Sequence, residues 1–194
     1  MIDFTIETCS NTNLDVQIFN FDTNQFTTVY DVNFTGSTVD LGALSTCEDS
    51  GGIYNGDVLL DSQDVVENFG LFNYVKINGY LHIRPDVANN PNAQNTNITD
   101  LSTLSSLETV TGTLQIRGNE LLPNLDGLNN LTEINGGTSS SSLFISSNDL
   151  LTSMNGLQNL TTAERVNITN NANLVSLQGL ENLSEIDDLR VIKS

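Results

Sequence analysis

The 194-residue chain is poor in the side chains on which most enzymes and nucleic-acid-binding proteins depend: no tryptophan, one histidine and two cysteines. Six Lys+Arg stand against 24 Asp+Glu, a formal net charge of -18. That balance repels nucleic acid and anionic membrane surfaces wherever salt does not screen it, so neither is expected as a partner. No apolar run approaches the roughly 18 to 20 residues of a membrane span. The opening MIDFTIETCS lacks the basic and apolar stretches of a signal peptide. His82 is tied to no nucleophilic serine or cysteine by a spacing motif, so neither catalysis nor a cofactor is expected. What is abundant is Asn, Thr, Ser and Asp, with few lysines, a composition that suits an extracellular or cell-surface protein. In that setting Cys9 and Cys47, which bracket the N-terminal segment, are expected to form a disulfide. The alternative is a pair of buried free thiols.

Against these absences stands a repeat. The segment GTLQIRGNELLPNLDGLNNLTEI (Gly112 to Ile134) opens with strand-like alternation at Leu114 and Ile116 and then places leucine at every third position. Counting Leu114 as zero, apolar residues fall at +2, +8, +11, +14, +17 and +20, and the same offsets from Leu143 and from Val166 give apolar residues throughout. Leu143 to Val166 and Val166 to Leu189 are both 23 residues, as is Val58 to Leu81. The longer intervals of 33 and 29 residues carry polar excursions at 84–97 and 135–142. A unit of this kind cannot bury its apolar face alone, whereas stacked units form a parallel sheet over a continuous core. Every-third leucine suits neither a 3.6-residue helix nor an alternating strand, and predicts extended or 3₁₀-like arcs. Asn119, Asn148 and Asn171 recur at +5, where a column of amides would satisfy turn backbone. Gly127, Gly156 and Gly179 recur at +13, where a tight corner is made most easily without a Cβ.

The pattern G-x-L-x-I-x-x-N-x-x-L-x-x-L-x-G-L-x-x-L resembles the receptor L-domain group of leucine-rich-repeat-like proteins, as found in surface and secreted proteins of Bacteroidota. The segment NGDVLLDSQDVVENFGLFNYVKINGYLHI (Asn55 to Ile83) is similar to the opening of such domains, a strand and a short helix ahead of the regular rungs. The resemblance spans about Gly52 to Ser194. It implies a right-handed parallel β-solenoid, here of about five rungs with a terminal strand, and a binding or adhesive role without chemistry.

Residues 1–48 read as a separate, small antiparallel β module, with short alternating strands in FTIETC, LDVQIFN, FTTVYDVNF and STVDLGALSTC. The last resembles the end of Ig-like or carboxypeptidase-regulatory-like β-sandwiches, so this module is expected to be part of a larger one. The solenoid occupies 49–194. Its terminal strand, with Leu189 and Val191 inward, is expected to leave an uncapped core, to be covered by further domains or copies of the chain.

If Leu114 and Ile116 face the core, positions −1, +1 and +3 face outward. This set holds Tyr80, His82, Arg84, Gln115, Arg117, Phe144, Arg165, Asn167 and Arg190, and so all four arginines and the only histidine. The functional reading is a site for a polysaccharide, a carboxylated or sulfated glycan, or a surface protein. Arginine forks would grip anions, Tyr80 and Phe144 would serve as platforms, and His82, Gln115 and Asn167 would supply hydrogen bonds. The competing reading is a solvated lattice in which Asp61, Asp188 and loop carboxylates balance the arginines, in a spacer or filament segment. Weaker features are a calcium site from Asp49, Asp57, Asp61 and Asp64, which lacks a calcium-loop motif, and ice binding, which the charged and aromatic residues on the face disfavour. Six N-x-[ST] sequons, at Asn33, Asn97, Asn130, Asn159, Asn167 and Asn182, are better explained by the repeat than by glycosylation.

Overall fold

In a computed structural model, residues 14–20, 25–32, 52–90, 92, 94–136 and 142–192 are described. Cys9, Cys47 and the sequon at Asn33 lie outside them. The chain divides into two compact units, Met1–Ser50 and Gly51–Ser194. In the first, β1 (Leu14–Asn20) and β2 (Gln25–Val32) pair antiparallel.

The second unit is a parallel coil with two sheets. On one side β4 (Val58–Leu60), β6 (Leu81–Ile83), β8 (Leu114–Arg117), β10 (Leu143–Ser146), β12 (Arg165–Thr169) and β13 (Asp188–Ile192) form a six-stranded sheet. On the other, β3 (Ile53–Asn55), β5 (Lys76–Asn78), β7 (Thr109–Val110), β9 (Glu133–Ile134) and β11 (Thr162–Ala163) form a five-stranded one. Register follows the repeat, with Leu81 beside Leu114, Leu114 beside Leu143 and Leu143 beside Val166. Two inward residues per strand therefore stack in columns, and Leu81, Ile83, Leu114, Ile116, Leu143 and Ile145 are fully buried.

The every-third leucines are explained by backbone hydrogen bonds. Leu122, Leu128 and Leu131 each donate their N–H to the carbonyl three residues earlier, at Asn119, Leu125 and Leu128, over 3.0–3.1 Å. Leu151, Leu157 and Leu160 repeat the pattern. Each such turn is 3₁₀-like, and eclipsed side chains three residues apart send every leucine into the core. At +13 the chain turns with φ of +107° at Gly127, +106° at Gly156 and +108° at Gly179. A Cβ at Gly156 would collide with the Leu125 carbonyl of the preceding coil. Glycine is thus required twice over, for its dihedral and for the close approach.

In the first coil the leucine arc is replaced by α1 (Gln63–Gly70). The Ser62 side chain makes no cap; Gln63 N–H instead donates to Asn97 Oδ1 of the next coil (2.9 Å). Gly70 lets the helix approach the 3₁₀ turn η1 (Ser102–Leu104), because a side chain there would strike Thr103.

The column at +5 ties the coils together. Asn148 Oδ1 accepts from both the backbone N–H and the Nδ2 of Asn119 (each 3.1 Å), and Asn148 Nδ2 reaches the carbonyls of Ile116 (3.0 Å) and Ser146 (3.1 Å). Asn171 serves Asn148 in the same way, over 3.0 and 3.1 Å. All three asparagines are buried. We predict that Asn148→Ala, which strands several of these groups, costs about 3 kcal/mol or more, and that Asn159→Ala on the exposed surface costs about 1 kcal/mol. Urea denaturation checks this, and equal losses would show that the column is not the principal tie.

Candidate functional site

The outward residues of the six-stranded sheet form three columns. At −1 stand Tyr80, Thr113, Ser142, Arg165 and Asp188; at +1 Leu59, His82, Gln115, Phe144, Asn167 and Arg190; at +3 Arg117, Ser146, Thr169 and Ile192. Ser142 and Ser146 are exceptions to outward exposure: both are buried, and Ser142 Oγ accepts from Arg165 N–H (3.2 Å).

At the N-terminal end, the Tyr80 and His82 rings stack in parallel, centroids 5.8 Å apart and planes 2° from parallel. Asp57 anchors this pair by accepting the Tyr80 backbone N–H through Oδ1 (2.8 Å). Burial lowers the His82 pKa below its ordinary value, Arg84 lowers it further, and Asp57 opposes both. The imidazole is therefore held toward its neutral form, able to both donate and accept hydrogen bonds.

Arg84 and Arg117 both stand at +3 of their repeats. Pairing between β6 and β8 ends at Ile83 beside Ile116, so the two arginines follow the ladder without being part of one matched pair. Arg117 is exposed and pairs in register with Ser146, whereas Arg84 is half-buried and donates from Nη1 to the Pro85 carbonyl (3.1 Å). Arg84 begins the polar excursion at 84–97, where hydrogen bonds from Asn89 and Ala88 hold the Asp86 carboxyl below its usual range, helped by Arg84. Asp61 is pushed upward by burial and by the nearby Asp86.

Farther along, Phe144 lies between Gln115 and Asn167, and Arg165 stands beside Asp188 in register. Arg190 lies beside Asn167 on the last strand. Two polar atoms of this face, Arg84 Nε and Asn167 Oδ1, are buried without a hydrogen-bond partner. Among the described residues, which do not include Asp49, no three His, Cys, Asp or Glu side chains meet as metal ligands. No helix among them is long and apolar enough to cross a membrane.

Three sequons are explained by coil-to-coil bonding. Nδ2 of Asn130, Asn159 and Asn182 donates to the carbonyls of Ser105 (2.8 Å), Asn129 (2.6 Å) and Gln158 (2.7 Å). The hydroxyls of Thr132, Thr161 and Ser184, two residues on, donate to Glu108, Thr132 and Thr161 carbonyls. Both halves of the motif therefore clamp the preceding coil. Thr96 was missed as a functional element of the fold. Its buried Oγ1 donates to Asn119 Oδ1 (2.7 Å) and accepts from Ile98 N–H (3.2 Å), closing the asparagine column. The signal was available, because Thr96 lies 23 residues before Asn119, one repeat period.

The stacked strands thus present an outward face that is polar, charged and aromatic. Residues 75–186, more than half of the chain, match the receptor L domain, and the chain belongs to that family, whose domains are non-catalytic modules of the ligand- and receptor-binding type. The match begins at Val75 and so excludes α1 and the first coil's strands. No curated protein and no solved structure matches the chain.

The geometry around His82 makes a test. Arg84→Gln should raise the imidazole pKa and Asp57→Asn should lower it, read from the NMR titration of this single histidine. Because the folded pKa is depressed, the unfolded chain binds more protons from about pH 6.5 down to the folded pKa. Stability should therefore fall as pH drops through that range, and His82→Gln should flatten the slope.

Proposed function

We propose that the chain is a secreted or surface-displayed recognition module that holds an anionic partner on its six-stranded sheet. The partner is a carboxylated or sulfated polysaccharide, or an acidic patch of a surface protein. The observation that carries this reading is the concentration of cationic groups. The chain has four arginines against a formal net charge of -18, and all four occur on that sheet or at its margin, with the only histidine. Scattering would be the default, so their concentration on one face of an otherwise acidic chain favours an anionic partner. Arg84, Arg117, Arg165 and Arg190 would take the charged groups. Tyr80 and Phe144 would provide apolar platforms, with hydrogen bonds from His82, Gln115 and Asn167. The unpartnered Arg84 Nε and Asn167 Oδ1 support this role, since buried polar atoms without partners are uncommon.

The same reading takes the solenoid as right-handed, of about five rungs, preceded by a β-sandwich-like module over 1–48 closed by a Cys9–Cys47 disulfide. A second reading is a spacer or assembly segment of a larger bacterial surface protein, in which carboxylates balance the arginines of the face, as Asp188 would beside Arg165.

The deciding experiment measures binding of anionic and neutral polysaccharides to the native chain and to Arg84→Ala/Arg117→Ala, at low and high salt. Expected is binding to anionic glycans that falls at least about tenfold in the double variant and weakens with salt. Absence of binding by the native chain to glycans and acidic proteins alike would favour the spacer reading.

A further inference from the structure

Two columns of polar side chains run along the leucine arcs, apart from the six-stranded sheet. They flank the corners at Gly127, Gly156 and Gly179: Asp126, Asn155 and Gln178 stand one residue before each corner, and Asn129, Gln158 and Glu181 two residues after it. Together they line a groove of about 310 Å³ that crosses three coils. The spacing of a parallel sheet, about 4.8 Å, sets equivalent side chains at regular intervals along it. In the coil before, the position equivalent to Asp126 is Ser102, which turns back on Asp100, its Oγ donating to Oδ2 (2.6 Å), so the column begins at Asp126.

Both columns are fixed before any ligand arrives. The N–H groups of Gly127, Gly156 and Gly179 donate to Asn129 Oδ1, Gln158 Oε1 and Glu181 Oε2, each over 2.8 Å. In the other column the backbone is held, Asp126 N–H by Asn124 Oδ1 (2.9 Å) and Gln178 N–H by Ser176 Oγ (3.0 Å). The corner bonds also settle which atom of each amide is occupied. Because the oxygens of Asn129 and Gln158 accept from glycine, it is their NH2 groups that have no partner among the described residues. The side chains of Asp126, Asn155 and Gln178 are exposed and likewise make no hydrogen bond among those residues.

We propose that this groove binds an uncharged saccharide. The carboxylates of Asp126 and Glu181, in the first and third of the three coils, only accept hydrogen bonds; Asn129 and Gln158 present donors between them; the amides of Asn155 and Gln178 do both. An anionic ligand would meet those two carboxylates within a chain of formal net charge -18. An ammonium group, which only donates, would leave the donors of Asn129 and Gln158 unanswered. No single metal ion can bridge the carboxylates, because they stand two coils apart, roughly 10 Å. A hydroxyl both donates and accepts, and a sugar ring carries several at its edge, so a saccharide answers every position of the groove. Pre-set donors and acceptors reduce the ordering cost of holding it. The ligand differs in charge from the partner proposed for the sheet, and the inference does not rest on that reading.

The test is isothermal titration calorimetry of the whole chain with maltohexaose, cellohexaose, mannohexaose and xylohexaose, at low and high salt. At least one should bind, with an affinity that salt leaves unchanged, since no ion pair is formed. Asn155→Ala and Gln158→Glu should each weaken that binding about tenfold. Gln158→Glu keeps an acceptor for the Gly156 N–H, as Glu181 does for Gly179, and removes only the outward donor. Asn155→Ala removes a side chain that bonds to no described residue, and circular dichroism checks that both variants keep the fold. Arg84→Ala/Arg117→Ala should bind the same saccharide as tightly as the native chain, so failure of the sheet site and failure of the groove are separate results. The proposal is overturned if none of the four binds, if binding weakens with salt, if the arginine variant loses it, or if both groove variants retain it in full.

Discussion

The buried asparagine column is the constraint on which the rest of this fold depends. At the end of each strand of the six-stranded sheet the chain turns sharply, and its peptide groups would otherwise be buried without partners, at a cost comparable to several hydrogen bonds. One amide answers this by acting in three directions. Asn148 accepts from Asn119 in the coil before it, donates to the Ile116 carbonyl of that coil, and donates within its own turn to Ser146. A column so connected fixes the translation between coils to the spacing of a parallel sheet. That spacing is what lets the leucines of one arc meet those of the next, and the glycine corners at +13 pass within touching distance of the preceding carbonyl.

Once the column and the leucine arcs hold the coil, the outward face of the six-stranded sheet is relieved of structural duty. Inward residues vary only among Leu, Ile and Val at the strand positions, whereas the outward set ranges from Asp to Phe to Arg. Variation of that kind on a rigid, regularly spaced scaffold is what a recognition surface needs, because side chains are held at fixed separations before any ligand arrives. The polar excursion at 84–97 follows the same division of labour. It leaves the strand at Arg84, changes the margin of the face, and returns Thr96 to the column so that the core is undisturbed.

How far the sequence was legible depended on whether a residue repeats. Parallel sheets, leucine arcs, the asparagine column and the corner glycines all recur at fixed offsets, so three copies revealed them. Thr96 escaped because the ten extra residues before it broke the forward count, although counting back from Asn119 finds it. The sequons at Asn130, Asn159 and Asn182 were correctly attributed to the repeat, but their specific role, clamping the carbonyls of the preceding coil, required the stacking to be seen.

The sequence by itself determined the periodic part of this protein: which residues face the core, which face out, and that coils must stack to bury leucine. It did so because burial acts on every copy alike and leaves a regular imprint. Tertiary structure decided what happens where the period is broken. It decided that Arg84 leans on Pro85 and acts on His82 and Asp86, and that Tyr80 stacks on His82. Those outcomes depend on side chains meeting across coils and around irregular loops, where no offset along the chain states which neighbour a residue will find.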